Sequence, residues 1–282
     1  MNYNLERSFM RVVQLLCAVF FLVFNLSFSM GQEEDIVVLV RADDMGSSRS
    51  ANYACLESFE KGIVKSIEIM VPCAWFEEAV QLVKDRKEID MGVHLTLTSE
   101  WTNIKWRPLT YCPSLTDSDG YFHPNINSLK NSDWKIEEME QELRAQIELA
   151  KRKIPHISHL TEHMGCLSFS KETQDLLKRL AAEYGLKVKD NTLIPFPGWS
   201  GADLTIYEKQ AHLLKAMQEL QPGRYLLIEH PAYNDFEAQG MGHVGYENVA
   251  EDRIGVLKAF TNEDIIRLIK ERNIKLISYR DL

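Results

Sequence analysis

Past residue 35 the chain alternates between two hydrophobic rhythms. Short apolar runs suited to strands buried on both faces alternate with longer stretches whose apolar positions recur every three to four residues. The runs predict strands at 36–40, 66–71, 89–98, 156–163, 186–189, 223–229 and 274–278. Between them the periodic stretches predict helices at 49–61, 75–85, 135–153, 170–184, 203–219, 248–260 and 262–272. Gly62 and Gly185 stand where helices end, Pro155 stops the helix before it, and Ser170 and Thr261 stand as N-caps. About seven strands, each followed by a helix, predict an α/β fold: a closed or nearly closed parallel β/α barrel rather than an open doubly wound sheet.

Two segments fall outside this rhythm. Residues 99–133 are irregular and rich in Trp, Pro, Tyr and Asp, including Trp106, Arg107, Asp119 and Tyr121. An insertion of that length is usually functional, and its aromatic side chains suit either a sugar face or a local minicore. Gly240–Tyr246 reads as a mobile loop. No repeat, low-complexity tract or linker divides the remainder, so residues 32–282 are expected to form one domain.

Residues 1–31 form a separate segment. Arg7 and Arg11 precede the apolar run Val12–Phe28, which is followed by Ser29 and Gly31 and then by acidic residues. Basic, apolar and small residues in that order predict a secretory signal peptide and a periplasmic or extracellular protein. A membrane anchor is the alternative, because the run approaches the ~18 residues of a spanning helix.

Composition narrows the partners. The 282 residues carry a net charge of −9, and without the first 31 this becomes about −10. An acidic exported chain argues against nucleic acid and against any membrane contact beyond the anchor, and a homo-oligomer is compatible with it. Beyond Cys17, the cysteines Cys55, Cys73, Cys112 and Cys166 show no metal-like spacing and read as isolated buried thiols, although an oxidising compartment permits a disulfide.

The chemistry gathers where strands should end. Asp43 and Asp44 follow the first apolar run, His94 lies on a strand whose other polar residues are Thr96 and Thr98, and His163 closes a strand shared with His159 and Thr161. His230 follows the strand 223–229. Barrel strands converge at one mouth, so these groups become neighbours. Neighbouring strand residues face opposite ways, which gives Asp43 and Asp44 separate roles unless the strand unwinds there. The plainer alternative makes one aspartate a helix cap and the other a solvated bystander, with His94 hydrogen-bonded inside the core. Two imidazoles and a carboxylate form a common ligand set for a catalytic divalent ion, Zn²⁺ by softness or, less naturally, Mg²⁺. A second carboxylate and a further histidine then complete a base and an acid. No Gly-rich phosphate loop, GxSxG elbow or Cys/His nucleophile signature competes.

RADDMG at 41–46, GVHLTLT at 92–98, PSLTDSDGYF at 113–122, HLTEHMG at 159–165 and EHPAY at 229–233 occur in an order and spacing that resembles the YdjC-like, or ChbG/HpnK-type, carbohydrate deacetylases. The resemblance implies a deformed barrel of the polysaccharide-deacetylase type and one divalent metal. It also implies hydrolysis of an N-acetyl group from an amino sugar or short N-acetylated oligosaccharide. Matched position by position, it makes Asp44, His94 and His163 the metal ligands, Asp43 the catalytic base and His230 an acid or substrate-binding residue. Arg253 matches an arginine near the substrate, and Trp106 and Arg107 join it as substrate-binding candidates. One position departs: the family strand reads H-x-D-x-H, and Thr161 stands at the aspartate. That departure keeps open a sugar-binding protein with a degenerate site, and the metal set alone keeps open a hydrolase of another amide or ester.

Overall fold

The computed structural model describes residues 35–199 and 201–282. The segment read as an export signal or anchor, Cys17 included, lies outside the described residues. Among the described residues no helix is long and apolar enough to cross a membrane.

Among the described residues seven strands form one parallel sheet: β1 (Ile36–Met45), β2 (Ser66–Ile69), β3 (Asp90–Leu95), β4 (Ile157–Glu162), β5 (Ile194–Pro195), β6 (Gly223–Glu229) and β7 (Lys275–Ile277). Their order is β4-β3-β2-β1-β6-β5, and β7 pairs with the first half of β1. The sheet curls into a half-barrel, the deformed parallel barrel expected from the alternation of runs. Around it lie α1 (Arg49–Glu60), α2 (Phe76–Val83), α3 (Ile126–Lys130), α4 (Ile136–Lys153), α5 (Lys171–Tyr184), α6 (Ile206–Glu219), α7 (Val249–Phe260) and α8 (Glu263–Glu271).

The two-residue period of a strand sorts side chains onto two faces. Val38, Val40 and Ala42 of β1 join Ile67 of β2, Met91 and Val93 of β3 and the helix residues Val80, Leu143, Leu213 and Val256 in the outer core. Fully burying each such aliphatic chain stabilises the fold by about 1.5–3 kcal/mol. On the other face Leu39 packs with Leu193, Leu226 and Tyr279 to make an apolar floor, and Arg41 and Asp43 stand above it along the same strand. The inner face therefore changes from apolar to ionisable toward the strands' carboxyl ends.

Several local expectations are met and others corrected. Ser170 caps α5 with a capping box, and Gly185 ends that helix in the left-handed conformation. Asn262, not Thr261, caps α8, its side chain accepting from the backbone N–H groups of Asp264 and Ile265. The run 186–189 is no strand: it contributes a single bridge, His159 to Lys187, and β5 forms later, against β6. The insertion 99–133 carries its own short helix, α3, and buries Trp101, Trp106, Leu115, Phe122 and Leu129 in the outer core, so these side chains join the main core rather than a separate local one. The loop 240–246 is docked on it: the Thr102 N–H donates to the Gly242 carbonyl, and His243 stacks on Trp101. The four cysteines are free and buried.

Candidate metal centre and active site

The end of β1 builds the site by breaking its own period. Asp44 has a φ of 68°, a left-handed conformation that aspartate tolerates better than most residues. The pairing of β1 with β2 slips between Ala42 and Met45 at the same place. This local unwinding lets both aspartates face the interior. Gly46 follows at φ 98°, where a Cβ would lie 2.7 Å from the Met70 carbonyl oxygen, so the turn closes tightly on the chain after β2. Ser48 caps α1 by accepting from the Ala51 N–H. Both aspartates are buried, so neither is the cap or the bystander of the plainer reading.

Three side chains at the ends of three strands converge, His163 lying one residue beyond β4. Asp44 Oδ1 lies 3.6 Å from His94 Nε2 and 3.3 Å from His163 Nδ1. Oxygen and nitrogen ligands ~2.0–2.2 Å from a tetrahedral ion stand roughly 3.3–3.6 Å apart, which is this spacing. Asp44 Oδ1 and His163 Nδ1 are also buried without a hydrogen bond, an expensive condition for polar atoms unless a cation is their partner. The residues present therefore fit a divalent ion. Asp44 Oδ2 is engaged separately, accepting from Arg253 Nη2 at 2.8 Å, while Arg253 lies over the Trp101 ring.

The two carboxylates are pushed apart. Burial raises the Asp43 carboxyl above the ordinary range despite Arg41 beside it. Burial acts on Asp44 as well, but the nearby His230, Arg253 and His163 outweigh it and hold Asp44 well below that range. A proton-accepting carboxylate and a permanently ionised one are the pair a hydrolytic metal site uses. Burial, with His163 alongside, holds the His94 imidazole well below its usual value and so neutral. His230 is partly exposed, and in the register of β6 it follows Glu229, which pairs with Ala42, so it lies across from Asp43. Burial opposes its charge, but Asp44 and Glu229 prevail and raise its pKa.

Trp106 is buried, its indole N–H donating to the Thr98 carbonyl at 2.6 Å and its ring edge-on to His163, so it walls the site beside a ligand. Arg107 is exposed and lies over Tyr121 on the insertion. The period missed partners that reach across strands. Glu100 bonds His163 Nε2 at 2.9 Å, and it lies on the same alternation as His94, Thr96 and Thr98, which could have marked it. Glu68, a charge inside the buried run SIEI, contacts Thr161 and His159.

A family model described as YdjC-like protein matches residues 37–271. A carbohydrate deacetylase of Listeria monocytogenes is 29% identical over 256 residues, covering 87% of this chain and 99% of that protein. Another, from Geobacillus stearothermophilus, is 28% identical over 260 residues, covering 86% and 96% respectively. In structure, an Enterococcus faecalis protein named for cellobiose-phosphate cleavage superposes with a TM-score of 0.72 at 21% identity, over 88% of this chain and 98% of its own.

Proposed function

The chain belongs to the YdjC-like protein family, and from that premise we propose that it removes the N-acetyl group from an amino sugar or a short N-acetylated oligosaccharide, using one divalent cation. The observation that carries the reading is the convergence of Asp44, His94 and His163 beside a second, separately held carboxylate, Asp43. The two imidazoles favour Zn²⁺ over Mg²⁺.

A cation held by Asp44, His94 and His163 would polarise the acetyl carbonyl and bring the pKa of water from ~15.7 toward ~7. Asp43 takes the proton of the attacking water as the oxygen bonds to the acetyl carbon. Arg41 fixes the direction of that carboxylate. His230, whose pKa the carboxylates near it raise, gives a proton to the sugar nitrogen as the carbon–nitrogen bond breaks, so acetate and a free amine leave. Arg253 retains two buried donors without partners, Nε and Nη1, which suit a substrate oxygen. Arg107 is a second candidate at the exposed insertion, and Trp106 holds the wall beside His163. Residues 1–31 support export, and N-terminal sequencing of the mature protein checks it.

Purified protein, stripped of metal and reloaded in turn with Zn²⁺, Mn²⁺ and Mg²⁺, is expected to release acetate from N-acetylglucosamine oligomers. Release without any added metal, or none with any metal and oligomer, contradicts the reading. A degenerate sugar-binding site would instead bind the oligomers without turnover and keep that binding in Asp43→Asn.

A further inference from the structure

The inner face carries a second polar set that this reaction does not consume. Glu68, Gly92 and His159 are lateral neighbours on β2, β3 and β4. Adjacent strands lie ~4.8 Å apart, so the outer two residues are separated by about 10 Å at Cα. Their side chains nevertheless meet over the middle strand, His159 Nε2 standing 2.6 Å from Glu68 Oε1. Gly92 makes this possible: a Cβ there would lie 2.1 Å from Glu68 Oε2 and 2.3 Å from His159 Nε2. Tyr279 stacks flat on His159, with ring centroids 4.0 Å apart, and seals the pair from below.

The same carboxylate reaches the metal site through one hydroxyl. Thr161 pairs with His94 in the β3–β4 register, and its Oγ1 donates to Glu68 Oε2 at 2.8 Å. Thr161 Oγ1 also lies 2.9 Å from His94 Nδ1. A hydroxyl has one proton, and here Glu68 takes it. Only lone pairs then remain for His94, so Nδ1 must carry the N–H and Nε2 the free lone pair. Nε2 is the nitrogen that faces Asp44 Oδ1.

We propose that Glu68 is a positioning residue that acts through Thr161 to fix His94 in the Nδ1–H tautomer and aim Nε2 at the cation. The purpose rests on the metal reading above, whereas the tautomer does not. His163 shows the direct version of the arrangement, with Glu100 on the nitrogen turned away from Asp44. Each imidazole thus has a carboxylate behind it, one in contact and one relayed. A hydroxyl at position 161 therefore does not leave His94 without a carboxylate, because strand β2 supplies it. Carboxylates behind metal-bound histidines orient the ring and raise its basicity, and their loss typically weakens metal binding about 10–100-fold.

Two readouts on the full chain test this: histidine ring ¹⁵N shifts before metal is added, and Zn²⁺ affinity by competition with a chelator. The wild type is expected to show His94 protonated at Nδ1. Thr161→Val and Glu68→Gln are expected to lose that fixed tautomer and bind Zn²⁺ about 10–100-fold more weakly, while Thr161→Ser keeps both within about threefold. Glu68→Gln/Thr161→Asp, which sets a carboxylate directly on Nδ1, is expected to recover the tautomer and most of the affinity. His94 protonated at Nε2 in the wild type overturns the proposal, as does Thr161→Val with wild-type tautomer and affinity. If Glu68→Gln fails to fold, the Thr161→Val and Thr161→Ser pair decides alone. If the wild type binds no divalent ion, the metal reading fails, and the tautomer of wild type against Thr161→Val still decides the relay.

Discussion

Arg41 holds Asp43 at two points, Nε to Oδ1 at 2.6 Å and Nη2 to Oδ2 at 2.7 Å, with both side chains buried. Its third arm, Nη1, reaches the Tyr279 hydroxyl at 3.0 Å. Residues 41 and 43 share a strand face, so the pair is local, and the fork leaves the carboxylate one orientation. In Asp43→Asn the shape persists without the basicity. Its kcat is expected to fall by ~10²–10⁴ with metal affinity changed by less than about threefold. Steady-state kinetics beside a Zn²⁺ titration check this, and an equal loss in both would make Asp43 a ligand instead.

Breaking the Arg41–Asp43 pair from one side should cost more stability than removing both charges. Arg41→Met leaves a buried carboxylate without its partner and is expected to destabilise the fold by about 3–5 kcal/mol in urea unfolding. Arg41→Met/Asp43→Leu removes both charges and should recover much of that loss. A double variant no more stable than the single one would count against the pairing.

Metal binding should expel a proton. Burial opposes charge on His163, but Glu100 and Asp44 on either side push its pKa up to about 10. His94 is held neutral, so of the two ligand histidines only His163 carries an extra proton at pH 7 before metal binds. A cation needs the lone pair of Nδ1, and it therefore competes with that proton. Affinity should rise about tenfold per pH unit up to about pH 10, and calorimetry in buffers of different ionisation heat should show about one proton released at pH 7. No release would remove His163 from the ligand set.

Much of this arrangement is legible in the chain. The two-residue period places His159, Thr161 and His163 on one inner face and His94 opposite the apolar Val93 and Leu95, as found, although β3 ends at Leu95 and the alternation does not run on as strand through Thr96 and Thr98. The same rule sets Asp43 and Asp44 on opposite faces only while the strand stays regular, and Asp44 turns left-handed where β1 slips against β2, the exception that brings both inward. Position 186–189 read as a strand from its apolar residues, whereas sheet pairing is decided by neighbours distant in sequence. Glu68 and His159 are 91 positions apart, and no local pattern announces a contact that depends on the missing side chain of Gly92.

Gly92 gives an independent check of the relay's packing. Gly92→Ala drives a methyl into the Glu68–His159 pair, and overpacking of this kind costs about 1–3 kcal/mol or more. A lower urea midpoint and weaker Zn²⁺ binding are expected together. An unchanged midpoint would show that the pair does not occupy that space.

The central claim is that Asp44, His94 and His163 share one ion, and anomalous diffraction from crystals soaked in Zn²⁺ tests it most directly. The expected result is a single peak ~2.0–2.2 Å from Asp44 Oδ1, His94 Nε2 and His163 Nδ1. A peak that omits any of the three, or no peak among them at saturating Zn²⁺, would contradict it.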